Sequence, residues 1–165
     1  SIYVADTGKH RIVKFDPKGN QVAVWGQKGD KVGEFNEPIG LAEDSTGDIY
    51  VADRLNFRIQ VFDPNGIPVR HWKVDGWSKD QVNMEPHLAI DKGRGLLYAT
   101  DGRASRILCY KLDGTELPAI AKDPAGNPLV QVPIGVAVGA TGDLYVTDAQ
   151  AGRVLKLAGE AKTNP

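Results

Sequence analysis

The stretch IYVADTGKHRIVKFDPKG (2–19) recurs almost unchanged as IYVADRLNFRIQVFDPNG (49–66), and this repetition decides the fold. Its core is the pattern Tyr-x-x-Asp-x-x-x-x-Arg, which occurs four times along the 165-residue chain at intervals of 47, 48 and 47 residues. Repetition at a fixed period of this length is typical of a repeat architecture. The four copies are Tyr3, Asp6 and Arg11; Tyr50, Asp53 and Arg58; Tyr98, Asp101 and Arg106; and Tyr145, Asp148 and Arg153.

Each unit contains short apolar runs separated by turn residues. In the second unit the runs are IGLAE (39–43), IYVAD (49–53), RIQVF (58–62) and IPVRHW (67–72). Such runs, rich in Ile, Val, Tyr and Phe and bounded by Gly, Asp, Asn and Pro, predict antiparallel strands. The turn DPNG (63–66) favours a hairpin, because Pro fixes the backbone angle at the second position and Gly accepts a positive φ.

Four strands in each unit of about 47 residues predict an all-β fold, a β-propeller. We expect one propeller segment over residues 1–165, with units at about 1–37, 38–85, 86–132 and 133–165. The two middle units supply four strands each and the first and last units three each, which gives fourteen strands, or about three and a half blades. Because incomplete blades leave bare sheet edges and apolar faces, we expect a fragment of a longer chain. Association of two half-rings is the alternative.

The order of these motifs resembles the NHL repeat family of β-propellers. The resemblance rests on PIGLAEDSTGDIYVAD (38–53), GKHRIVKFDPKG (8–19) and PIGVAVGATGDLYVTD (133–148), and it extends over almost the whole chain. The third unit departs most, with Leu88 at a position that the second and fourth units fill with glycine. The resemblance implies four-stranded blades around a common axis, about six of them in the complete ring, and a non-catalytic scaffold that presents loops for protein or ligand binding.

The repeated Asp and Arg flank a four-residue insert between the second and third strands of each unit. A carboxylate there accepts backbone N–H groups of the turn, and the arginine pairs with it or with a neighbouring blade. A catalytic role repeated in four blades would make little sense, so we predict structural clasps. The predicted clasp residues are Asp6, Arg11, Asp53, Arg58, Asp101, Arg106, Asp148 and Arg153.

The inserts differ from one another, reading TGKH (7–10), RLNF (54–57), GRAS (102–105) and AQAG (149–152). We expect them to face solvent on the same side as the segments that connect the blades. Such loops tolerate variation and commonly bind partners. Aromatic and guanidinium groups are favoured at interface hot spots. The predicted binding residues are therefore Arg54, Phe57, Trp77 and Arg103, together with His87 at the mouth of the central channel.

The charge of the chain indicates which class of partner it binds. Twenty Lys and Arg face 21 Asp and Glu, so a net charge of −1 gives no bulk reason to bind nucleic acid or an anionic membrane. Some NHL propellers bind RNA through a basic loop face, and this alternative rests here on Lys9, His10, Arg54 and Arg103. Acidic residues interrupt that face, which disfavours nucleic acid. We expect the partner to be another protein or another part of the parent chain.

No apolar run approaches the roughly 18 residues of a membrane span, so we expect no direct membrane insertion.

A metal-dependent enzyme is the main alternative. EPHLAI (85–90) resembles an inner-strand zinc motif of peptidylglycine amidating lyases, which are propeller enzymes. VADRLNFRIQVF (51–62) is similar to a second stretch of those enzymes, in which the arginine matching Arg54 helps to bind substrate. This resemblance implies lyase or hydrolase chemistry near His87. Catalytic zinc needs three converging protein ligands, and the equivalent inner positions hold Ile39 and Ile134. We therefore expect no metal or cofactor and favour a non-enzymatic role.

The single cysteine, Cys109, excludes an internal disulfide. It occupies the slot that the other units fill with Lys14, Val61 and Lys156. We therefore expect a strand residue near the surface. No histidine is spaced to activate the thiol as a nucleophile.

The run VDGWSKDQVNMEPHLAIDKGRGLLYATD (74–101) also resembles NHL segments of large bacterial membrane-anchored proteins. In such proteins the propeller lies outside the cytoplasm. This resemblance implies an extracytoplasmic location.

Overall fold

The computed structural model describes residues 1–77 and 85–158, and this part of the chain forms four antiparallel sheets. Sheet 1 contains β1 (Ile2–Asp6), β2 (Arg11–Phe15) and β3 (Gln21–Trp25). Sheet 2 contains β4 (Pro38–Glu43), β5 (Ile49–Asp53), β6 (Arg58–Phe62) and β7 (Pro68–Lys73). Sheet 3 contains β8 (Leu88–Asp91), β9 (Leu96–Asp101), β10 (Arg106–Lys111) and β11 (Glu116–Ile120). Sheet 4 contains β12 (Pro133–Val138), β13 (Leu144–Asp148) and β14 (Arg153–Leu157).

The predicted fold class is confirmed. The described residues form fourteen strands grouped in threes and fours, as the repeat predicts. Two short 3-10 turns, Thr7–Lys9 and Arg54–Asn56, occupy the inserts of sheets 1 and 2. Within the described ranges, no helix is both long and apolar enough to pass through a membrane.

The hairpin between β6 and β7 shows how turn residues set the strand pairing. The Gly66 N–H donates to the Asp63 carbonyl at 2.9 Å, and Gly66 has a φ of 85°, which favours glycine. The Asp63 carboxylate also accepts the backbone N–H groups of Asn65 and Ile67, at 2.9 and 2.8 Å. The turn is therefore closed by both backbone and side-chain hydrogen bonds, which fixes where β7 begins to pair.

The four repeat tyrosines occupy equivalent places. Each lies opposite the fourth residue of the next strand. This antiparallel register is the same in all four sheets. The pairs are Tyr3 with Lys14, Tyr50 with Val61, Tyr98 with Cys109 and Tyr145 with Lys156. The sequence repeat is thus a structural repeat.

Cores lie between successive sheets, because alternate residues of each strand point to opposite sides. In β5 every residue is buried: Ile49 and Val51 pack in the core shared with sheet 1, whereas Tyr50 and Ala52 pack in the core shared with sheet 3. A third core joins sheets 3 and 4 around Tyr98. Sheets 2 and 3 therefore depend on the sheets on both sides for the burial of their apolar side chains, which contributes about 1.5–3 kcal/mol for each large one.

The first strands of the units approach one another closely. β8 lies between β4 and β12. A Cβ atom added at Gly40 in β4 would meet the Pro86 carbonyl oxygen and would lie 3.1 Å from the His87 Cα and the Leu88 nitrogen. Glycine at position 40 therefore permits backbone-to-backbone packing between the inner strands of sheets 2 and 3.

The expectation that Cys109 lies near the surface is wrong. Its side chain is buried in the core between sheets 3 and 4, and burial raises the pKa of the thiol to about 11. Among the four sheets, the position equivalent to Cys109 is exposed only in sheet 4. In sheet 3 the face that carries Cys109 is covered by the next sheet. Cys109 does occupy the expected slot in its strand, but the sheet that covers it leaves no signal in the local sequence.

Candidate functional site

The inserts and the connecting segments share one side of the molecule, which we call the loop face. The Leu55 N–H donates to the Asn36 carbonyl at 2.9 Å, and the Ala149 N–H donates to the Val132 carbonyl at 2.9 Å. The inserts of sheets 2 and 4 are thereby attached to the segments that enter their own blades. The loop face consists of the inserts 7–10, 54–57, 102–105 and 149–152 and the described parts of the connecting segments 26–37, 73–85 and 121–132.

An aspartate and an arginine flank each insert and lie close together in all four sheets. The closest N–O distances range from 2.7 to 3.5 Å. The four pairs differ in exposure, and the pair in sheet 2 is the most buried of them. The pairs are Asp6–Arg11, Asp53–Arg58, Asp101–Arg106 and Asp148–Arg153.

The Arg58 guanidinium fixes the connecting segment that precedes sheet 2. Its Nη1 donates to the Asp30 carbonyl at 2.8 Å, and its Nη2 donates to the carbonyls of Lys31 and Glu34 at 2.7 and 2.9 Å. Its Nε donates to Asp53 Oδ2 at 2.7 Å. One buried side chain therefore satisfies three carbonyls of a loop that has no strand of its own.

The Asp53 carboxylate is bonded as fully as its partner. It accepts the Asn36 N–H at 2.7 Å, the Asn56 amide at 2.8 Å and the Gln60 amide at 3.1 Å. Burial raises the pKa of Asp53, whereas the hydrogen bonds from Asn36, Asn56 and Arg58 act to lower it. Asn56 and Gln60 were not predicted from the sequence; the available signal was that Asn56 lies between the clasp residues and that Gln60 follows Arg58 by two residues in β6.

Arg54 forms an ion pair on the loop face that the sequence did not predict. Its Nη1 donates to Glu37 Oε2 at 2.7 Å, and only 14% of the Arg54 side chain is exposed. The Glu37 N–H in turn donates to His10 Nδ1 at 3.0 Å, and Glu37 has a φ of 56°. A left-handed backbone is uncommon for Glu, so the three residues hold a specific geometry where sheets 1 and 2 meet. The signal for Glu37 was its place immediately before the first residue of β4.

Two predicted binding residues are not exposed anchors. Trp77 is 5% exposed and packs in the core between sheets 2 and 3. Phe57 is half-buried against the same core, and its φ of 55° ends the 3-10 turn before β6. The expectation of solvent-facing aromatics at these positions is corrected, because the neighbouring sheet supplies a core that the insert and connecting segment reach into. A role of either residue in binding stays a prediction.

The other two predicted residues are exposed. His87 lies just before β8, where its N–H donates to Thr100 Oγ1 at 2.9 Å. Arg103 lies in the insert of sheet 3. His71 lies far from both, in the outer strand of sheet 2. Among residues 1–77 and 85–158, no group of three or more His, Cys, Asp or Glu side chains is arranged to hold a metal ion.

A cleft on the opposite side of the molecule separates the β8–β9 turn from the β12–β13 turn. Arg94 spans it, with its Nη1 donating to Asp91 Oδ2 at 3.2 Å and to the Gly142 carbonyl at 3.0 Å. The guanidinium therefore joins sheets 3 and 4, and its geometry is explained by that contact.

Comparison with known proteins identifies one of these repeats. The family model described as NHL repeat matches residues 35–62, which include β4, β5 and β6. The chain contains an NHL repeat. The matched NHL segment includes Asp53, Arg58 and Arg54, so the most buried clasp and the ion pair on the loop face both lie within it. A search of curated proteins finds no match to the chain.

Solved structures show the same fold as this chain. It is similar to a streptogramin B lyase, with a TM-score of 0.67 and 16% identity over 93% of this chain and 49% of the lyase chain. It is similar to virginiamycin B lyase from Staphylococcus aureus, with a TM-score of 0.65 and 16% identity over 94% and 50%. The WD40 repeats of RRP9 give a TM-score of 0.62 and 13% identity over 93% and 46%. At these identities the likeness shows the β-propeller fold alone, and the chain spans about half the length of these structures.

Proposed function

We propose that this NHL β-propeller is a non-catalytic interaction module that binds another protein through its loop face. The observation that carries the proposal is the attachment of the connecting segment 26–37 to sheet 2. Arg58 bonds three of its carbonyls and Asp53 accepts one of its N–H groups, both from buried positions. A partner meeting loops held in this way loses little free energy in ordering them.

The chemistry of the face favours a protein as the partner. Arg103 is exposed on the loop face, which also carries the exposed Asp30 and Asp75 and the half-exposed Glu37, and the exposed His87 lies two residues after the connecting segment 73–85. Charges of both signs complement a protein surface of mixed charge and set the register of docking. A polyanion would need a continuous basic stripe, because its affinity depends on the number of phosphates that the protein neutralises.

The test compares two doubly substituted variants matched in chemistry. The loop-face variant carries His87→Ala and Arg103→Glu, and the control carries His71→Ala and Lys111→Glu at exposed positions away from that face. Each protein is immobilised and exposed to extract of the source cells. Proteins retained by wild type are then purified, and their dissociation constants are measured by calorimetry, after circular dichroism has shown that both variants fold.

We expect at least one purified protein that binds the loop-face variant about tenfold or more weakly than wild type and binds the control variant as wild type. Loss of a central charged or aromatic contact commonly costs more than about 1.4 kcal/mol, which is tenfold. Equal binding to all three proteins, or loss in the control alone, would place the binding surface elsewhere and refute the proposal.

A further inference from the structure

The outer strands of sheets 1, 2 and 3 each have one free edge. Among the described residues, β3 pairs only with β2, β7 only with β6 and β11 only with β10. The other edge of each strand faces the rim of the molecule, and we call these three edges the rim edges. A free edge presents a row of backbone N–H and C=O groups, which is a template for pairing with another strand.

Two of the rim edges carry features that oppose the addition of a strand. β7 begins with Pro68 and carries the side chains of Arg70, His71 and Lys73. β11 has Pro118 at its middle position. A charged side chain on an edge strand would lose its hydration when another strand is added, and a proline has no N–H to donate. The rim edges of sheets 2 and 3 are therefore protected.

The rim edge of sheet 1 has neither form of protection. β3 reads QVAVW over Gln21–Trp25, without a charged residue or a proline. Its Val22 is 55% exposed, and β-branched residues such as valine favour strands. Of the three outer strands in the described part of the chain, β3 is thus the one whose edge is open to another strand.

The exposure of β3 follows from its place at the rim. Val22 is the extra residue of a bulge opposite β2, and Val69 is the extra residue of the same bulge opposite β6. Val24 and His71 likewise share one register position. Sheet 2 packs against both sheet 1 and sheet 3, yet Val69 and His71 are exposed in it. Neighbouring sheets therefore leave these two positions of an outer strand uncovered.

An exposed lysine lies near each end of β3. Lys18 is in the turn before the strand, and Lys28 lies three residues after its last residue. Acidic groups lie near both lysines. The carboxylates of Asp16 and Glu34 accept hydrogen bonds from their own loops, and the exposed Asp30 is followed directly by a further lysine. An added strand would therefore meet an uncharged edge between two ammonium groups.

These lysines disfavour a second copy of the chain as the added strand. Antiparallel pairing of two β3 strands about Ala23 would bring Lys18 of one copy opposite Lys28 of the other, since each lysine lies five residues from Ala23. Like charges that face each other destabilise a pair of strands. A strand of a different protein with acidic residues at these places would instead pair with both lysines.

We propose that β3 accepts an extended strand of a partner protein, which adds to sheet 1 at the rim. The centre of that strand is uncharged and β-branched, and an acidic residue lies toward each end. Main-chain hydrogen bonds supply the affinity of such an addition, and the side chains supply its specificity. The rim edge is separate from the loop face, so this interaction does not depend on the one proposed above.

The test titrates a synthetic peptide into the isotope-labelled chain and follows the amide signals by NMR. In the peptide, Val and Thr alternate between two pairs of Glu, and both ends are blocked. It is expected to bind with a Kd below about 1 mM, to shift the amide signals of β3 and to slow their hydrogen exchange.

Two matched variants locate the binding edge. Val22→Lys places a charge on the rim edge of sheet 1 and is expected to weaken binding at least about tenfold. Val69→Lys makes the same change at the same register position of β7, and it is expected to bind the peptide as wild type does. Circular dichroism first shows that both variants fold.

Charge supplies a second readout. A peptide with Lys in place of Glu is expected to bind at least about tenfold more weakly, and the double variant Lys18→Glu, Lys28→Glu is expected to reverse this preference. Four results would overturn the proposal: no shift of β3 signals at about 1 mM peptide, equal weakening by Val22→Lys and Val69→Lys, equal binding of the two peptides, and self-association of the chain that Val22→Lys abolishes. The last result would make a second copy the occupant of the edge.

Discussion

The Nε atom of Arg58 lies 2.7 Å from Oδ2 of Asp53, and the two side chains are 6% and 0% exposed. The equivalent pair in sheet 1, Arg11 and Asp6, has nearly the same geometry at 2.9 Å but is 32% and 28% exposed. The same ion pair therefore occurs in two environments. Since the distances are nearly equal, the difference in burial determines how much each pair contributes to the free energy of unfolding.

Arg58→Ala is expected to lower the free energy of unfolding by about 3–5 kcal/mol, because it leaves a buried carboxylate without its charged partner. Arg11→Ala, which removes the matched exposed pair, is expected to lower it by less than about 1 kcal/mol. Guanidinium chloride unfolding followed by tryptophan fluorescence measures both. Similar losses in the two variants would show that burial does not distinguish the pairs.

The Asp53 and Asp148 carboxyls hold the same place in their sheets, yet their pKa values shift in opposite directions. Burial raises the pKa of Asp53 above its ordinary 3.8. Burial also acts to raise the pKa of Asp148, but the backbone N–H groups of Val132, Gln131 and Ala151, together with the charge of Arg153, lower it by more, and the result lies below 3.8. Carbon-detected NMR of the two carboxyls during a pH titration is expected to place Asp148 below 3.8 and Asp53 above it.

The consequences for stability have opposite signs. The Asp148 contribution is present above its unfolded pKa and is lost as the pH falls through its lowered folded pKa. The protonated Asp53 is favoured by the fold, so the stability that it provides at low pH decreases as the pH rises from 3.8 through its raised folded pKa. If the pKa values of both carboxyls lie on the same side of 3.8, the difference in their surroundings does not control those pKa values.

The repeat predicted the strands, their number and the place of the clasps, because these depend on local alternation and on turn residues. It did not predict which loop residues are buried. Phe35 has no exposed surface although it lies in a polar connecting segment, and it packs with Phe62 at a ring-centroid distance of 5.3 Å. Trp77 and Cys109 were misplaced for the same reason: the atoms that cover them belong to a neighbouring sheet.

The loop face was likewise predicted only in part. Arg54 was selected for its guanidinium, but its partner Glu37 lies 17 residues earlier in the chain. No local pattern links the two, since their contact exists only because β4 and the β5–β6 insert meet at one end of sheet 2. Side-chain partners across elements require the packed structure, whereas the elements themselves follow from the repeat.

Cys109 is expected to resist thiol reagents while the chain is folded. With a pKa of about 11, only about one thiol in a thousand is ionised at pH 8. The thiol is also buried. The control is Ala104→Cys in a Cys109→Ala background, because position 104 is exposed in the insert of sheet 3. An ordinary exposed thiol is about one-quarter ionised at that pH. Labelling with a chromogenic disulfide is expected to be at least about 100-fold slower for Cys109, and equal rates would show that the core between sheets 3 and 4 opens readily.

Gly40 and Gly8 provide a matched test of how the inner strands pack. An alanine Cβ at position 40 would press on the Pro86 carbonyl oxygen and the backbone of His87 and Leu88, whereas at position 8 no atom lies within 4 Å. The neighbours at Gly40 are backbone atoms of β8 and the residues before it, so they cannot turn aside as a side chain can. Gly40→Ala is expected to lower the free energy of unfolding by about 1–3 kcal/mol through overpacking.

Gly8→Ala is expected to change the free energy of unfolding by no more than about 0.5 kcal/mol, as is usual for surface substitutions. The same denaturant titrations measure both variants. The overpacked contact would lie between sheets 2 and 3. Gly40→Ala is therefore also expected to increase amide hydrogen exchange more in β4 and β8 than in β2. If Gly40→Ala instead has wild-type stability and exchange, the inner strands cannot be in backbone contact, and the placement of sheets 2 and 3 around a common axis would be refuted.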